Sequence, residues 1–246
     1  MNDSRAELKS QGRRRPRHAG PPLWLMAIVY TVLFLGSLLP VTWFADGPSF
    51  PAPWESPDAI AAFFQAHPAA VRVCAALQFG AAIPLGIFAA SAVSRLQFLG
   101  ARVAGVSIAL FGGIATAVMM MASSIALWVM AQPGISENRA VLEALYWLVQ
   151  GLGGPGFAVP FGILVAGVTI PAAFMRLIPK WLVVFGMAIA ICGELSWLYM
   201  MVPAALPLIP LARFPGFVWI IATGLALPSS IERPSPTVGS SAGKGM

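Results

Sequence analysis

The chain reads as an all-α polytopic membrane helix bundle, with about six transmembrane helices and short outer interfacial helices. Three observations predict it. Of the 246 residues, 58% are hydrophobic and only 10% are charged, against about 45–50% and about 25% in soluble domains, so a water-facing coat is not available. Long stretches lack Asp, Glu, Lys, Arg and His altogether: residues 19–45, 73–94, 103–136, 144–175, 195–212 and 214–231. The basic residues gather in the connections of one side, which is how a multi-pass topology is written into sequence.

Crossing a hydrocarbon layer of about 30 Å takes about 20 helical residues. Allowing for the proline-rich corners, the spans fall at about 23–44, 69–93, 103–131, 156–175, 181–202 and 211–228. Arg5, Lys9, Arg13, Arg14, Arg15 and Arg17 precede the first span. Arg95 and Arg102 join the second to the third, Arg176 and Lys180 join the fourth to the fifth, and Arg233 and Lys244 follow the sixth. Arg72, Arg139 and Arg213 fall on the other side, with Asp46, Glu55, Asp58, Glu137 and Glu143. Both termini are therefore expected in the cytoplasm of a bacterium, with the protein in its inner membrane. The uncharged stretch of the first span is too long for a signal-peptide core, so that helix is expected to stay attached.

The basic run Arg13–Arg17 reads as a topology signal with weak attraction for anionic lipid, not as a nucleic-acid site. Residues 1–21 and 229–246 read as disordered cytoplasmic tails around a single domain, 22–228. Two outer connections carry helices. Ser56-Pro57-Asp58 supplies an N-cap, a proline at the first helical position and an acid in the first turn, and Ile60, Phe63 and Phe64 follow at helical spacing, giving a helix over 57–67. Ser136 is the expected cap of a second helix, which runs into Gly151-Leu-Gly-Gly-Pro-Gly156, a segment that should bend or break it.

Each outer helix is followed by span, basic turn and span. Pro84-Leu-Gly86-Ile87-Phe88 resembles Pro160-Phe-Gly162-Ile163-Leu164 at an offset of 76 residues. A parallel internal repeat, 56–131 and 136–202, is one reading; chance likeness among apolar segments is the other. Pro84, Gly86, Pro160 and Gly162 are the candidate hinges. Small residues four apart mark the closest helix contacts, in Gly105, Ala109, Gly113 and Ala117, in Ala158, Gly162 and Ala166, and in Gly186 and Ala190, a stripe that Glu194 shares.

Catalytic motifs are missing: there is no H-E-x-x-H, G-x-S-x-G or P-loop, so no enzyme is expected. His18 and His67 lie outside the spans, which leaves no haem ligand at depth, and Cys74 and Cys192 with no intramembrane His do not make a zinc site. Met119–Met121, Met200, Met201 and the two cysteines suit Cu(I) in type, but without clustered spacing they read as packing. No cofactor is expected. Glu194 is the acid within a span. At the bilayer's apolar depth it must face protein, and Arg72 and Arg213 are the cations on its side, so these three form the candidate ligand-binding set or a structural ion pair. Gln78, Ser123 and Gln150 are weaker polar leads. Glu143, Tyr146, Trp147 and Gln150 share one face, which borders an outward pocket or belongs to the aromatic belt, the belt being preferred.

Ala70-Val71-Arg72 at the head of the second span, the turn from Arg95 to Arg102, Gly193-Glu194-Leu195-Ser196-Trp197 and Arg213-Phe214-Pro215-Gly216-Phe217-Val218-Trp219 resemble a family of uncharacterised six-span bacterial membrane proteins defined by a domain of unknown function. The resemblance covers about residues 22–228 and implies architecture only. A carrier or receptor for a small ligand or ion, with an outward-facing polar site, is the first functional expectation. A non-catalytic scaffold or partner subunit is the second, with the bilayer as the environment and a protein partner or homo-oligomer left open.

Overall fold

A computed structural model describes residues 16–43 and 50–230. Arg5, Lys9, Arg13, Arg14, Arg15, Asp46, Arg233 and Lys244, and most of both expected tails, lie outside the described residues. The helices are α1 (Leu23–Thr42), α2 (Pro57–Ala66), α3 (Pro68–Phe98), α4 (Ala104–Met130), α5 (Arg139–Gly153), α6 (Pro155–Phe174), α7 (Lys180–Leu195) and α8 (Leu208–Ala226). Short 3-10 turns, Ser196–Met200 and Pro203–Ala205, join the last two. Six helical units are long and apolar enough to cross a membrane: α1, α3, α4, α5 with α6, α7 with its 3-10 extension, and α8 with the turn before it. This is a multi-pass helix bundle, and its outside is apolar as lipid requires, with Val32, Ile83, Phe111, Val184, Val218 and Leu225 all exposed.

The six spans form a ring. Each packs on the next in chain order, and α8 closes on α1. That closure needs Gly224, where a Cβ would lie 2.9 Å from the backbone nitrogen of Trp24. Tyr30, Phe88, Phe161, Leu164 and Trp219 fill the common core. A second apolar cluster sits at one end, where Phe63 and Phe64 of α2 meet Leu142 and Tyr146 of α5 and Met130 of α4. We call this the cap end. There, Arg139 pairs with Asp58 at 2.8 Å and the Gln65 amide donates to the Ser136 carbonyl at 2.9 Å, tying the two connections together.

The opposite, terminal end gathers the described chain ends and the basic turns. Residues 16–21 and 229–230, read from sequence as parts of disordered tails, meet there. Arg17 forms an antiparallel bridge with Ser230, and the His18 amide donates to the Ser229 carbonyl at 2.9 Å. The His18 ring accepts from the Gly20 amide and bonds the Ser94 hydroxyl at 3.0 Å, so backbone groups that would otherwise be solvated find partners. Arg95 is buried, and its Nη1 donates to the Leu227 carbonyl at 3.2 Å. That anchor explains why α3 runs past the expected end at 93 to Phe98.

Three other boundaries moved. The cap of α5 is Asn138, whose side chain accepts from the Val141 amide at 3.3 Å, because successive turns from Gln132 to Asn138 delay the helix past Ser136. The fifth span leaves α-helical geometry at Ser196, whose hydroxyl donates to the Gly193 carbonyl at 2.6 Å. The last span begins at Leu208, three residues earlier than expected, since Pro210 is accommodated in a first turn that has no N–H partner to lose.

The 76-residue offset recurs in the backbone. α3 ends at Phe98 and α6 at Phe174; positive φ occurs at Gly100 and Arg176; α4 begins at Ala104 and α7 at Lys180. In both turns the same bonds close the helix, Ala101 to Leu96 and Leu177 to Ala172, each an N–H reaching back five residues across a left-handed position. Pro84 and Pro160 are buried within unbroken α3 and α6, each fourteen residues before its helix ends.

Close helix contacts fall partly where small residues were expected. Gly113 meets Ala89, Gly105 lies against Pro171, and Gly162 faces α7. Gly86 is looser, with Ala117 at 3.7 Å from its added Cβ. Gly112 and Gly167 also make close approaches, on the α6 backbone and on Ala109 respectively. On α7 the tight positions are Gly186, against Trp219 and Thr169, and Gly193, against the α6 backbone. At about 100° per residue, Gly193 returns to within about 20° of Gly186, whereas Glu194 stands about 80° away.

Candidate ligand site around Arg213

The site starts from a broken helix. Gly154 takes φ −84 and ψ −105, and Pro155 begins α6 without an N–H, so α5 stops at Gly153 with carbonyls that the helix itself cannot satisfy. Arg213, in the second turn of α8, donates through Nη2 to the Gly153 carbonyl. A cation at a helix C-terminus also meets the negative end of the helix dipole. Its guanidinium carbon stands 4.5 Å from the Phe157 ring centre and 5.5 Å from that of Phe34, an aromatic cradle supplied by α6 and α1. Phe217 backs Phe34 at 5.2 Å, and Phe161 stacks on Phe157 at 5.5 Å. Nε of Arg213 is buried and has no hydrogen-bond partner.

Beside the guanidinium lies a cavity of about 300 Å³. Its polar side chains are Arg213, Thr42, Gln78, Ser123 and Gln150; Phe34, Leu38, Leu127 and Ile209 make it mostly apolar. Each neutral polar group makes one hydrogen bond within the protein, Thr42 to the Leu38 carbonyl at 2.7 Å. Gln78 donates to the Cys74 sulfur at 3.4 Å, and Ser123 donates to the Val149 carbonyl at 3.2 Å. Gln150 donates to the Tyr146 hydroxyl, which donates to the Pro51 carbonyl, both at 2.9 Å. The last relay pins the segment before α2, whose Phe50, Pro51 and Pro53 form part of the cavity wall.

A second, more open hollow of about 500 Å³ adjoins it at the cap end, lined by Trp54, Trp147, Tyr199 and Met200. Pro53, Gln150 and Leu206 border both spaces. Trp147 and Gln150 thus do line a pocket, the reading that was set below the aromatic belt, while Tyr146 turns inward and is fully buried.

No protein-family model, curated protein or solved structure matches the chain.

Of the three residues expected together, the structure brings one to the cavity. Arg72 is exposed at the start of α3, and Glu194 is half-buried on α7 outside the cavity wall. Neither Arg72 nor Arg213 forms an ion pair with Glu194; among the described residues, the ion pair is Arg139 with Asp58. The expected partnership is therefore corrected: Arg213 is held by a carbonyl and two rings, a set that a search for opposite charges does not find. The signal was present in the glycine-rich break, because a helix ended by Gly-Pro needs a donor for its last carbonyls. No three His, Cys, Asp or Glu side chains come together among the described residues. Cys74 lies in the cap cluster, and Cys192 packs on the main core.

Proposed function

We propose that this protein is a carrier or receptor for a small ligand in the bacterial inner membrane, with its ligand site at the Arg213 cavity facing away from the cytoplasm. The observation that carries the reading is a half-buried guanidinium, its Nε fully buried, beside a cavity with no carboxylate in its wall among the described residues. Placing a charge at this depth is costly, and a structural cap alone would be served as well by a closed wall. Instead the cavity adjoins a wider hollow rimmed by Trp54, Trp147 and Tyr199, a two-chamber arrangement suited to admitting and holding a solute.

Sidedness follows from charge. Arg17, Arg95, Arg102, Arg176 and Lys180 belong to the terminal end, whereas Glu55, Asp58, Glu137 and Glu143 belong to the cap end. Basic turns favour the cytoplasm, so the hollow opens outward. The reading involves no bond-making on the ligand.

Gln150 borders both chambers and provides the test. In a Cys74→Ala, Cys192→Ala background, Gln150→Cys is expected to react with a membrane-impermeant maleimide on intact cells. Labelling that appears only after the membrane is permeabilised would contradict an outward-facing site.

A further inference from the structure

We propose that the ligand of the Arg213 cavity is a monoanion made of one carboxylate and an apolar body; this rests on the ligand-site reading above. Charge sets the head group. Among the described residues Arg213 is the charged one in the cavity wall, and one of its five N–H groups is given to Gly153 while Nε is unpartnered. A carboxylate accepts two N–H bonds from one guanidinium, a charge-assisted contact strengthened where water is scarce. Gln78, Ser123 and Gln150 each give a hydrogen to a protein acceptor, and among the described residues no second cation lines the wall to balance a second negative charge. This disfavours phosphate dianions and dicarboxylates.

The walls set the rest. Phe34, Leu38, Leu127, Val149, Ile209 and Phe214 present hydrocarbon around that single cation. A volume of about 300 Å³ sits at the small end of ligand pockets, which run from about 300 to 1,000 Å³. A fully polar anion such as formate or chloride would leave this hydrocarbon wet, and a cation would meet the guanidinium unscreened. The shared chemistry, a carboxylate on an apolar body, comes from two sources: a short acid dissolved in water, or a fatty acid entering from the membrane.

The full chain, purified in non-ionic detergent, is melted with hexanoate, hexanol, hexylamine, inorganic phosphate or palmitate. Hexanoate is expected to raise the melting temperature by roughly 5 to 10 °C at a hundredfold excess over its Kd, with no rise for hexanol, hexylamine or phosphate. Response to palmitate in place of hexanoate assigns the membrane-borne source and keeps the class. Arg213→Gln is expected to lose the carboxylate response. Because Arg213 also caps α5, Leu206→Trp and Ile209→Phe provide fillers that keep the charge and occupy the space; either is expected to abolish the shift. A hexanol or hexylamine shift equal to that of hexanoate, and lost in the filled variants, would overturn the anion while leaving the ligand site. A carboxylate shift that survives filling would place binding elsewhere and overturn the inference. Absence of any response from wild type to every probe would overturn the inference and the ligand site together.

Discussion

The guanidinium of Arg213 bonds the carbonyl of Gly153, joining α8 to the point where α5 breaks into α6. One side chain thereby ends a helix, fills the space between two phenyl rings and lines a cavity. Arg213→Lys keeps the charge but loses the planar contact with Phe34 and Phe157 and the forked donor geometry. It is expected to lower unfolding stability by about 1 to 3 kcal/mol, measured as a shift in denaturation midpoint. The exposed Arg102→Lys should stay within about 0.5 kcal/mol.

On α7, packing and charge separate into neighbouring residues. A Cβ at Gly193 would lie 2.6 Å from the Ala158 carbonyl oxygen and 2.9 Å from the Gly162 Cα, both backbone atoms that cannot swing away. Gly193→Ala is expected to cost about 1 to 3 kcal/mol, the usual penalty for overpacking. Glu194→Gln should be neutral or stabilising, since it removes a charge that has no ion-pair partner among the described residues. Parallel melts of the two variants decide this; a large loss for Glu194→Gln alone would restore the carboxylate to a structural role.

The paired turns make opposite demands on two residue types. Gly100 sits at φ 102 and Arg176 at φ 54, equivalent positions 76 residues apart. Gly100→Ala is expected to lower stability by about 1 kcal/mol or more, whereas Arg176→Gly should raise it by a few tenths to about 1 kcal/mol. Denaturation midpoints of the two single variants should therefore move in opposite directions.

His18 ties the described N-terminal segment down through its neutral ring. Partial burial, and then the nearby Arg95 cation, hold its pKa below the ordinary value of 6.5. The unfolded segment thus takes up a proton first as the pH falls. The stability His18 contributes is complete above about pH 6.5 and is lost as the pH drops through the lowered folded value. Protonation also removes the acceptor of the Gly20 amide. Hydrogen exchange at Gly20, corrected for its intrinsic pH dependence, is expected to accelerate below that pH in wild type and to be fast throughout in His18→Ala.

Much of the architecture was legible because it is written in local terms. Uncharged length marked the spans, Ser56-Pro57-Asp58 marked the start of α2, and Gly154-Pro155 marked the break before α6. Boundaries moved where a distant partner intervened, as when Leu227 held Arg95 and prolonged α3. The site was harder. Glu194 and Arg213 stand out by charge, and pairing opposite charges within an apolar layer is sound physics. Yet the ring of helices puts α7 and α8 in a register that gives Arg213 a carbonyl on α5 and rings on α1 and α6. Those partners, Phe34, Gly153 and Phe157, are distant from Arg213 along the chain and carry no charge, so no spacing rule reveals them.

The Arg213 guanidinium is expected to make the cavity electropositive and favour anions, and a cysteine at the entrance measures that field. In the Cys74→Ala, Cys192→Ala background, Leu206→Cys would be reacted with two methanethiosulfonates of similar size, one bearing a sulfonate and one a quaternary ammonium. The anionic reagent is expected to react several-fold faster, with that preference lost in Arg213→Gln and reduced by high salt. Equal rates, or faster reaction of the cationic reagent in the parent protein, would contradict the account.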